Sequence, residues 1–375
     1  MGLTAFLRVP ELEERYKKVK QYFFLRESAY DVTSACQLRC EGCYYFEGDK
    51  YQVRDNRDPH AWKQFMLSEK QRGITYVNLA GAEPALVPKI LAVCYEAIPL
   101  GTIFTNGLRK IDESIRYRIQ ISVWGDSTGD PVYRKYASGK PGPDCMAIQR
   151  KNYKHDDRVI FVYTFNSHNI DQVDDVIKQV RDDGHKITFN VFSAPQGSVS
   201  GLKVTDTLRK TRDKMMEAMD EYGETVVYSY YNALVHTQEV SLRRQFGCPY
   251  PRASHNELSN PVGIGKTFRS YRADLTHVVE SDCCVPDTDC GDCRHYAAGS
   301  AIVSSRMDLH TRSEELFRGW LDYVDTYLAI WVLGYEKGVN LYPKQLAEAE
   351  TPGSPFIKMV GGAATSAVTT SPHYS

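Results

Sequence analysis

Three cysteines, Cys36, Cys40 and Cys43, stand in the run Cys36-Gln37-Leu38-Arg39-Cys40-Glu41-Gly42-Cys43, directly after a strand-like stretch from Ser28 to Val32. One short loop with x3 and x2 spacing can wrap three thiolates around three corners of a [4Fe–4S] cubane, because the backbone curls while the sulfurs point inward. The fourth iron is then left without a protein ligand and is open to a substrate or cofactor. The competing chemistry is a zinc knuckle. Zinc needs four ligands, and no fourth Cys or His lies nearby, His60 being the closest.

A loop of this kind needs a scaffold to hold it. Helical and strand-like stretches alternate after the cysteines: helix Pro59 to Gln71, strand Ile74 to Leu79, helix Pro88 to Glu96, strand Thr102 to Thr105, strand Arg118 to Val123. A helix around Asp144 to Lys154, strand Val159 to Phe165, helix Ile170 to Asp183 and strand Ile187 to Phe192 complete the series. Such alternation demands parallel crossovers, and with the strand before the cysteines it makes six units, short of the eight of a closed barrel. Ligands of parallel sheets bind outside the carboxyl ends of the strands. Polar residues stand there: Gly81-Ala82-Glu83-Pro84 after one strand, Thr105-Asn106-Gly107 after the next, then Ser122 with Trp124-Gly125-Asp126. Tyr163, Asn166 and His168 follow, and after them Asn190 and Ser193. A strand-end carboxylate such as Glu83 can accept hydrogen bonds from an ammonium; its plainer reading is a cap on a βα turn.

A second cysteine cluster comes later. Helices are expected over Thr205 to Tyr222 and Asn232 to Phe246, followed by Cys248, a hairpin-like pair (Thr267 to Tyr271 and Leu275 to Val279), Cys283-Cys284, and Cys290-Gly291-Asp292-Cys293. Four thiolates suit a closed [4Fe–4S] cluster and equally a structural zinc. Successive side chains of an extended segment face opposite ways, so one thiol of Cys283 and Cys284 is left over, as a hydrogen donor or merely packed.

The Cys-x3-Cys-x2-Cys run beside Gly81-Ala82-Glu83-Pro84 resembles the signature of the radical S-adenosylmethionine (SAM) superfamily, with Ala82 where that family's GGEP turn has a second glycine. The resemblance implies an α/β fold, a partial (β/α)6 TIM-like radical SAM barrel. It implies that the SAM amine and carboxylate chelate the open iron and that reductive C–S cleavage yields a 5′-deoxyadenosyl radical, electrons coming from a donor such as flavodoxin or ferredoxin. By the same resemblance Gly81, Ala82 and Glu83 meet the SAM ammonium, Thr105, Asn106 and Ser122 its ribose and carboxylate, and Tyr163 and Asn190 SAM or substrate. Many members carry an aromatic residue before the third cysteine; here it is Gly42, and either Tyr44 or Tyr45 or a residue of the fifth strand is expected to pack on adenine instead. The distal cysteines are similar to the Twitch module, a reduced SPASM domain. This implies an auxiliary [4Fe–4S] cluster on Cys248, one of Cys283 and Cys284, Cys290 and Cys293, with the spare thiol as a catalytic candidate.

The expected organisation is an N-terminal helical extension over residues 1–27, the barrel over 28–200, a Twitch-like auxiliary cluster module with C-terminal helices over 201–345, and a disordered tail over 346–375. Lys and Arg number 46 against 47 Asp and Glu, so neither nucleic acid nor a membrane surface is expected as a partner. No apolar run approaches a bilayer span, and the first residues lack a signal-peptide layout; a cytoplasmic location is expected, with the clustered cysteines as metal ligands rather than disulfides. Polar strand ends and 25 tyrosines suggest a small hydroxylated substrate, a sugar, aminoglycoside or nucleoside natural product, undergoing dehydrogenation or epimerisation. The rivals are a ribosomal-peptide maturase of SPASM/Twitch type, against which the short segment before the barrel and the five distal cysteines count, and a non-enzymatic Fe–S or zinc protein.

Overall fold

The computed structural model describes residues 2–47, 53–193, 201–239, 241, 268–277 and 293–348. Its centre is a seven-stranded sheet that runs, edge to edge, Lys186–Val191, Val159–Phe165, Arg118–Val123, Gly101–Thr105, Tyr76–Ala80, Glu27–Asp31 and Ser270–Tyr271. Six strands carry the expected alternation: β1 (Glu27–Asp31), β3 (Tyr76–Ala80), β4 (Gly101–Thr105), β5 (Arg118–Val123), β7 (Val159–Phe165) and β8 (Lys186–Val191). Each pairs parallel with its neighbours, giving the partial (β/α)6 barrel. Parallel strands buried on both faces read as almost unbroken apolar runs, and all seven residues of β7 are buried.

The helices between them start where side chains satisfy free N–H groups: Asp58 accepts from His60 before the Pro59–Gln71 helix, and Asp144 accepts from Ala147 before Cys145–Tyr153. Ser313 caps the long Glu314–Trp331 helix by accepting from Leu316. That helix, the helix Pro10–Lys20 and the barrel share one apolar core. The N-terminal helix is tied to it by Arg15, whose Nη1 lies 3.1 Å from Asp325 and 3.6 Å from Asp322.

Three features depart from the sequence expectation. The hairpin-like segment lends Ser270–Tyr271 as β9, a strand parallel to β1 at the sheet edge, while the Tyr271–His277 bridge keeps the hairpin closed. The cysteine loop is itself a strand, β2 (Leu38–Cys40), antiparallel to β6 (Arg134–Tyr136). The helix expected to start at Asn232 runs instead over Tyr230–His236, because Ser229 provides the cap and His236 leads into a turn held by Thr237 donating to the Ala233 carbonyl. Cys248, Cys283, Cys284 and Cys290 and the segment 349–375 lie outside the described residues. Among the described residues no helix is long and apolar enough to cross a membrane.

Candidate active site

A cavity of about 280 Å³ opens at the carboxyl ends of the barrel strands. Side chains alternate along a strand, and the lining follows that period: Asn78 and Ala80 on β3, Gln120 and Ser122 on β5, Val162 and Thr164 on β7. Cys36, Cys40 and Cys43 all line this cavity. Among the described residues no three His, Cys, Asp or Glu side chains converge to hold a metal ion. The three sulfurs thus share a cavity wall without converging on one point.

Two donors already reach the first sulfur. The Leu38 N–H lies 3.3 Å and the Asn106 amide 3.6 Å from Cys36 Sγ, contacts that favour a thiolate. Burial works against them, pushing the Cys36 thiol up to about 11 and Cys40 higher still. A buried thiolate trio is therefore favoured when a cationic centre balances it, as a coordinating metal does. The donor set fits an iron–sulfur cluster. The loop is fastened from outside, with Ser34 donating to Asp55 and Glu41 N–H to the Tyr133 carbonyl.

Gly42 explains the missing aromatic residue. Its φ of 66° is in the left-handed region, where a side chain at the neck of the third cysteine is strained. Tyr45 is buried and lines the cavity, as Gly42 itself does, while the Tyr44 side chain lies outside what is described. Gly81 is required for a second reason: its φ is 126°, and a Cβ there would stand 2.7 Å from the Thr33 carbonyl oxygen.

Of the residues expected to bind SAM, Gly81, Ala82, Thr105, Asn106, Ser122 and Asn190 line the cavity. Two are placed elsewhere. Glu83 is fully buried behind the wall, Oε1 accepting from Ala85 N–H at 2.9 Å and Thr105 Oγ1 at 2.6 Å, Oε2 from Asn106 N–H at 2.8 Å. It ties the turn after β3 to the turn after β4, and burial raises its pKa in spite of these donors. Tyr163 occupies an odd position on β7 while the even ones face the cavity; its hydroxyl donates to the Asn169 carbonyl at 2.6 Å. His168 stacks on Tyr133.

Several lining residues had no motif to announce them. Arg134 is buried, pairs with Asp130 at 3.2 Å and donates to the Ser122 carbonyl at 2.7 Å, placing a guanidinium on the wall beside Cys40. His295, Tyr296 and Trp331 close the cavity from the C-terminal part of the chain. Cys293, half-buried, precedes Arg294, which is anchored to the carbonyls of His236, Gln238 and Glu239 and donates its N–H to Ser193. The one described cysteine of the distal cluster thus leads directly into the cavity wall.

No family model matches the chain. It is 28% identical over 209 residues to the sporulation killing factor maturation protein SkfB of Bacillus subtilis strain 168, covering 52% of this chain and 49% of that protein. It is 29% identical over 85 residues to an S-adenosylmethionine-dependent nucleotide dehydratase of the Thermoplasmatales archaeon strain ISO4-H5, covering 22% of this chain and 29% of that one. The chain is thus similar over part of its length to a maturation protein and, over a shorter part, to an S-adenosylmethionine-dependent enzyme. The match spans about half the length of the first of these relatives and less of the second. Among solved structures, Streptococcus suis SuiB bound to precursor peptide SuiA is similar at a TM-score of 0.48 and 16% identity, over 73% of this chain and 63% of that one. The enzyme anSMEcpe with bound AdoMet and Cp18Cys peptide is similar at 0.47 and 14%, over 78% and 83%.

Proposed function

We propose that this protein is a radical SAM enzyme that modifies a peptide. The observation that carries the radical chemistry is the placing of Cys36, Cys40 and Cys43 on one cavity wall with the Gly81–Ala82 turn and Asn106. Cys36, Cys40 and Cys43 would hold a [4Fe–4S] cluster, and that cluster, with SAM bound, supplies a 5′-deoxyadenosyl radical that abstracts a hydrogen atom from substrate. The chain's own residues prepare the site. Arg134 offers a buried positive charge for a carboxylate such as that of SAM, Gly81 lets the backbone approach closely, Asn106 spans the Cys36 sulfur and the Gln37 amide, and Tyr45 offers an aromatic face.

The small hydroxylated substrate expected from the sequence gives way here to a peptide. The longer of the two relatives' matches is to a maturation protein, whereas the match to the nucleotide enzyme covers only 22% of the chain. An auxiliary cluster on Cys248, Cys290, Cys293 and one of Cys283 and Cys284 belongs to the same proposal, as does an external reductant of flavodoxin or ferredoxin type. Anaerobically reconstituted protein, reduced and given SAM, is expected to form 5′-deoxyadenosine, and to form it faster with a precursor peptide encoded beside its gene than with sugars or nucleosides. Equal rates with every substrate would count against the peptide reading; no 5′-deoxyadenosine at all would remove the radical one.

A further inference from the structure

Two buried amide side chains face the cavity with one polar atom each left unmatched. Gln120 is 1% exposed and Asn78 is 5% exposed, and both line the cavity. The Asn78 amide nitrogen donates to Glu27 Oε2 at 3.0 Å. A carboxylate accepts and cannot donate, so this bond fixes the orientation of the Asn78 amide and leaves its Oδ1 as a buried acceptor with no donor. Gln120 Oε1 accepts from the Tyr296 hydroxyl at 2.9 Å, and its Nε2 is a buried donor with no acceptor. Leaving such atoms unpaired is costly, so unmatched polar atoms at a cavity wall mark where a ligand completes the bonding.

The surroundings narrow what that ligand is. Phe104 is the register partner of Gln120 on the adjacent strand β4, and Asn78 is paired on the other side of β4 with Thr102. The donor and the acceptor therefore flank an aromatic surface, since Phe104 packs on Trp331 with ring centroids 5.4 Å apart and Trp331 on Tyr296 at 5.6 Å. Both amides sit two residues before Ala80 and Ser122, one layer deeper in the barrel than the residues beside the cysteines. We infer that Gln120, Asn78 and the Phe104–Trp331–Tyr296 surface form a substrate subsite for a secondary amide attached to an apolar side chain, the backbone of a hydrophobic residue of the peptide. The Gln120 N–H donates to the substrate carbonyl and Asn78 Oδ1 accepts the substrate N–H. The inference takes its substrate class from the peptide reading above; the two unmatched atoms stand independently of it.

The test measures binding to the anaerobically reconstituted full chain by equilibrium dialysis with three probes: N-acetyl-phenylalanine methylamide, N-acetyl-phenylalanine methyl ester and methyl glucoside. The ester lacks the C-terminal N–H. The amide is expected to bind roughly three- to tenfold more tightly than the ester. Asn78→Leu is expected to abolish that preference, and Gln120→Met to weaken amide and ester alike by a similar factor. Should Asn78→Leu fail to fold, as its thermal midpoint would reveal, the amide-to-ester ratio of the unaltered chain and the Gln120→Met effect still decide the matter. Equal binding of amide and ester, absence of amide binding at about 10 mM, or glucoside binding more tightly than the amide would overturn the subsite. 5′-Deoxyadenosine formation, assayed on the same preparation, reports on the radical SAM reading separately, so the failure of one is distinguishable from the failure of the other.

Discussion

Glu83 separates two ways in which a buried carboxylate can serve a cofactor site. The resemblance to a GGEP turn makes it a ligand for the SAM ammonium, whereas the structure gives it three internal donors, at 2.9, 2.6 and 2.8 Å. In Glu83→Gln one oxygen becomes an NH2 group. The better orientation keeps the remaining oxygen on Ala85 N–H and Thr105 Oγ1, which turns the NH2 toward the Asn106 N–H, so a hydrogen bond becomes two opposed donors. Losing a hydrogen bond to a charged acceptor costs about 1.5–3 kcal/mol, less whatever is regained by no longer burying a charge. At roughly 2–4 °C per kcal/mol, the slope for somewhat smaller chains, the thermal midpoint of the apo-protein should fall by about 3–12 °C at most. SAM affinity, measured separately by equilibrium dialysis on reconstituted protein, should fall as well, because the Asn106 backbone that Glu83 holds is continuous with the wall touching Cys36. An unchanged midpoint together with a SAM affinity lower by one to two orders of magnitude would refute the buttress and restore the direct ligand.

Three further outcomes are expected. Replacing Cys36, Cys40 and Cys43 together by Ala should abolish 5′-deoxyadenosine formation under reductant; undiminished formation would dismiss the cluster site. Reconstituted protein should carry about eight irons, two four-iron clusters, and a metal analysis giving four irons with one zinc would dismiss the auxiliary cluster. Stability should decline between about pH 6.5 and pH 4: burial depresses His236 and His310 to about 4, so the unfolded chain takes up protons in that window before the folded one does. Each histidine accepts from a tyrosine hydroxyl at 2.8 Å and has its other nitrogen against a carbonyl, the pattern of a neutral ring. His310→Gln should flatten the thermal midpoint against pH over that window, and an unaltered slope would show that the charge uptake lies elsewhere.

How much of this was legible in the sequence depends on whether the signal is local. The six alternating units are written in local patterns, and the structure realises them; the caps Asp144 and Ser313 are equally local features. Tyr163 shows the limit. In a strand buried on both faces apolar residues occur at odd and even positions alike, so periodicity does not say which side chains face the cavity. Arg134 reaches the site only because β6 pairs with the cysteine loop, an antiparallel contact between segments almost a hundred residues apart. Tyr296 and Trp331 meet Gln120 and Phe104 across even longer separations. Asn78 and Gln120 did carry a usable sign, an amide two residues before the end-of-strand positions Ala80 and Ser122, but it becomes visible only when the strands are laid in register.

Position along each strand divides the cavity lining into two sets. Ala80, Asn106 and Ser122 form the outer set beside the cysteines, and Asn78, Phe104 and Gln120 lie two residues deeper on the same strands, a step of about 6–7 Å. The outer set is held by bonds among loop ends: Glu83 to Thr105 and Asn106, Arg134 to Ser122. The deeper set is held by the C-terminal part of the chain, through Tyr296 on Gln120 and Trp331 on Phe104. Because different segments brace them, residues of the outer set can be under demand for the cofactor while those of the deeper set vary with the substrate. The brace for the deeper set begins immediately after Cys293. Cys293 is thus joined through Arg294, His295 and Tyr296 to the Gln120 amide, with only Tyr296, among the described residues, bonding it directly.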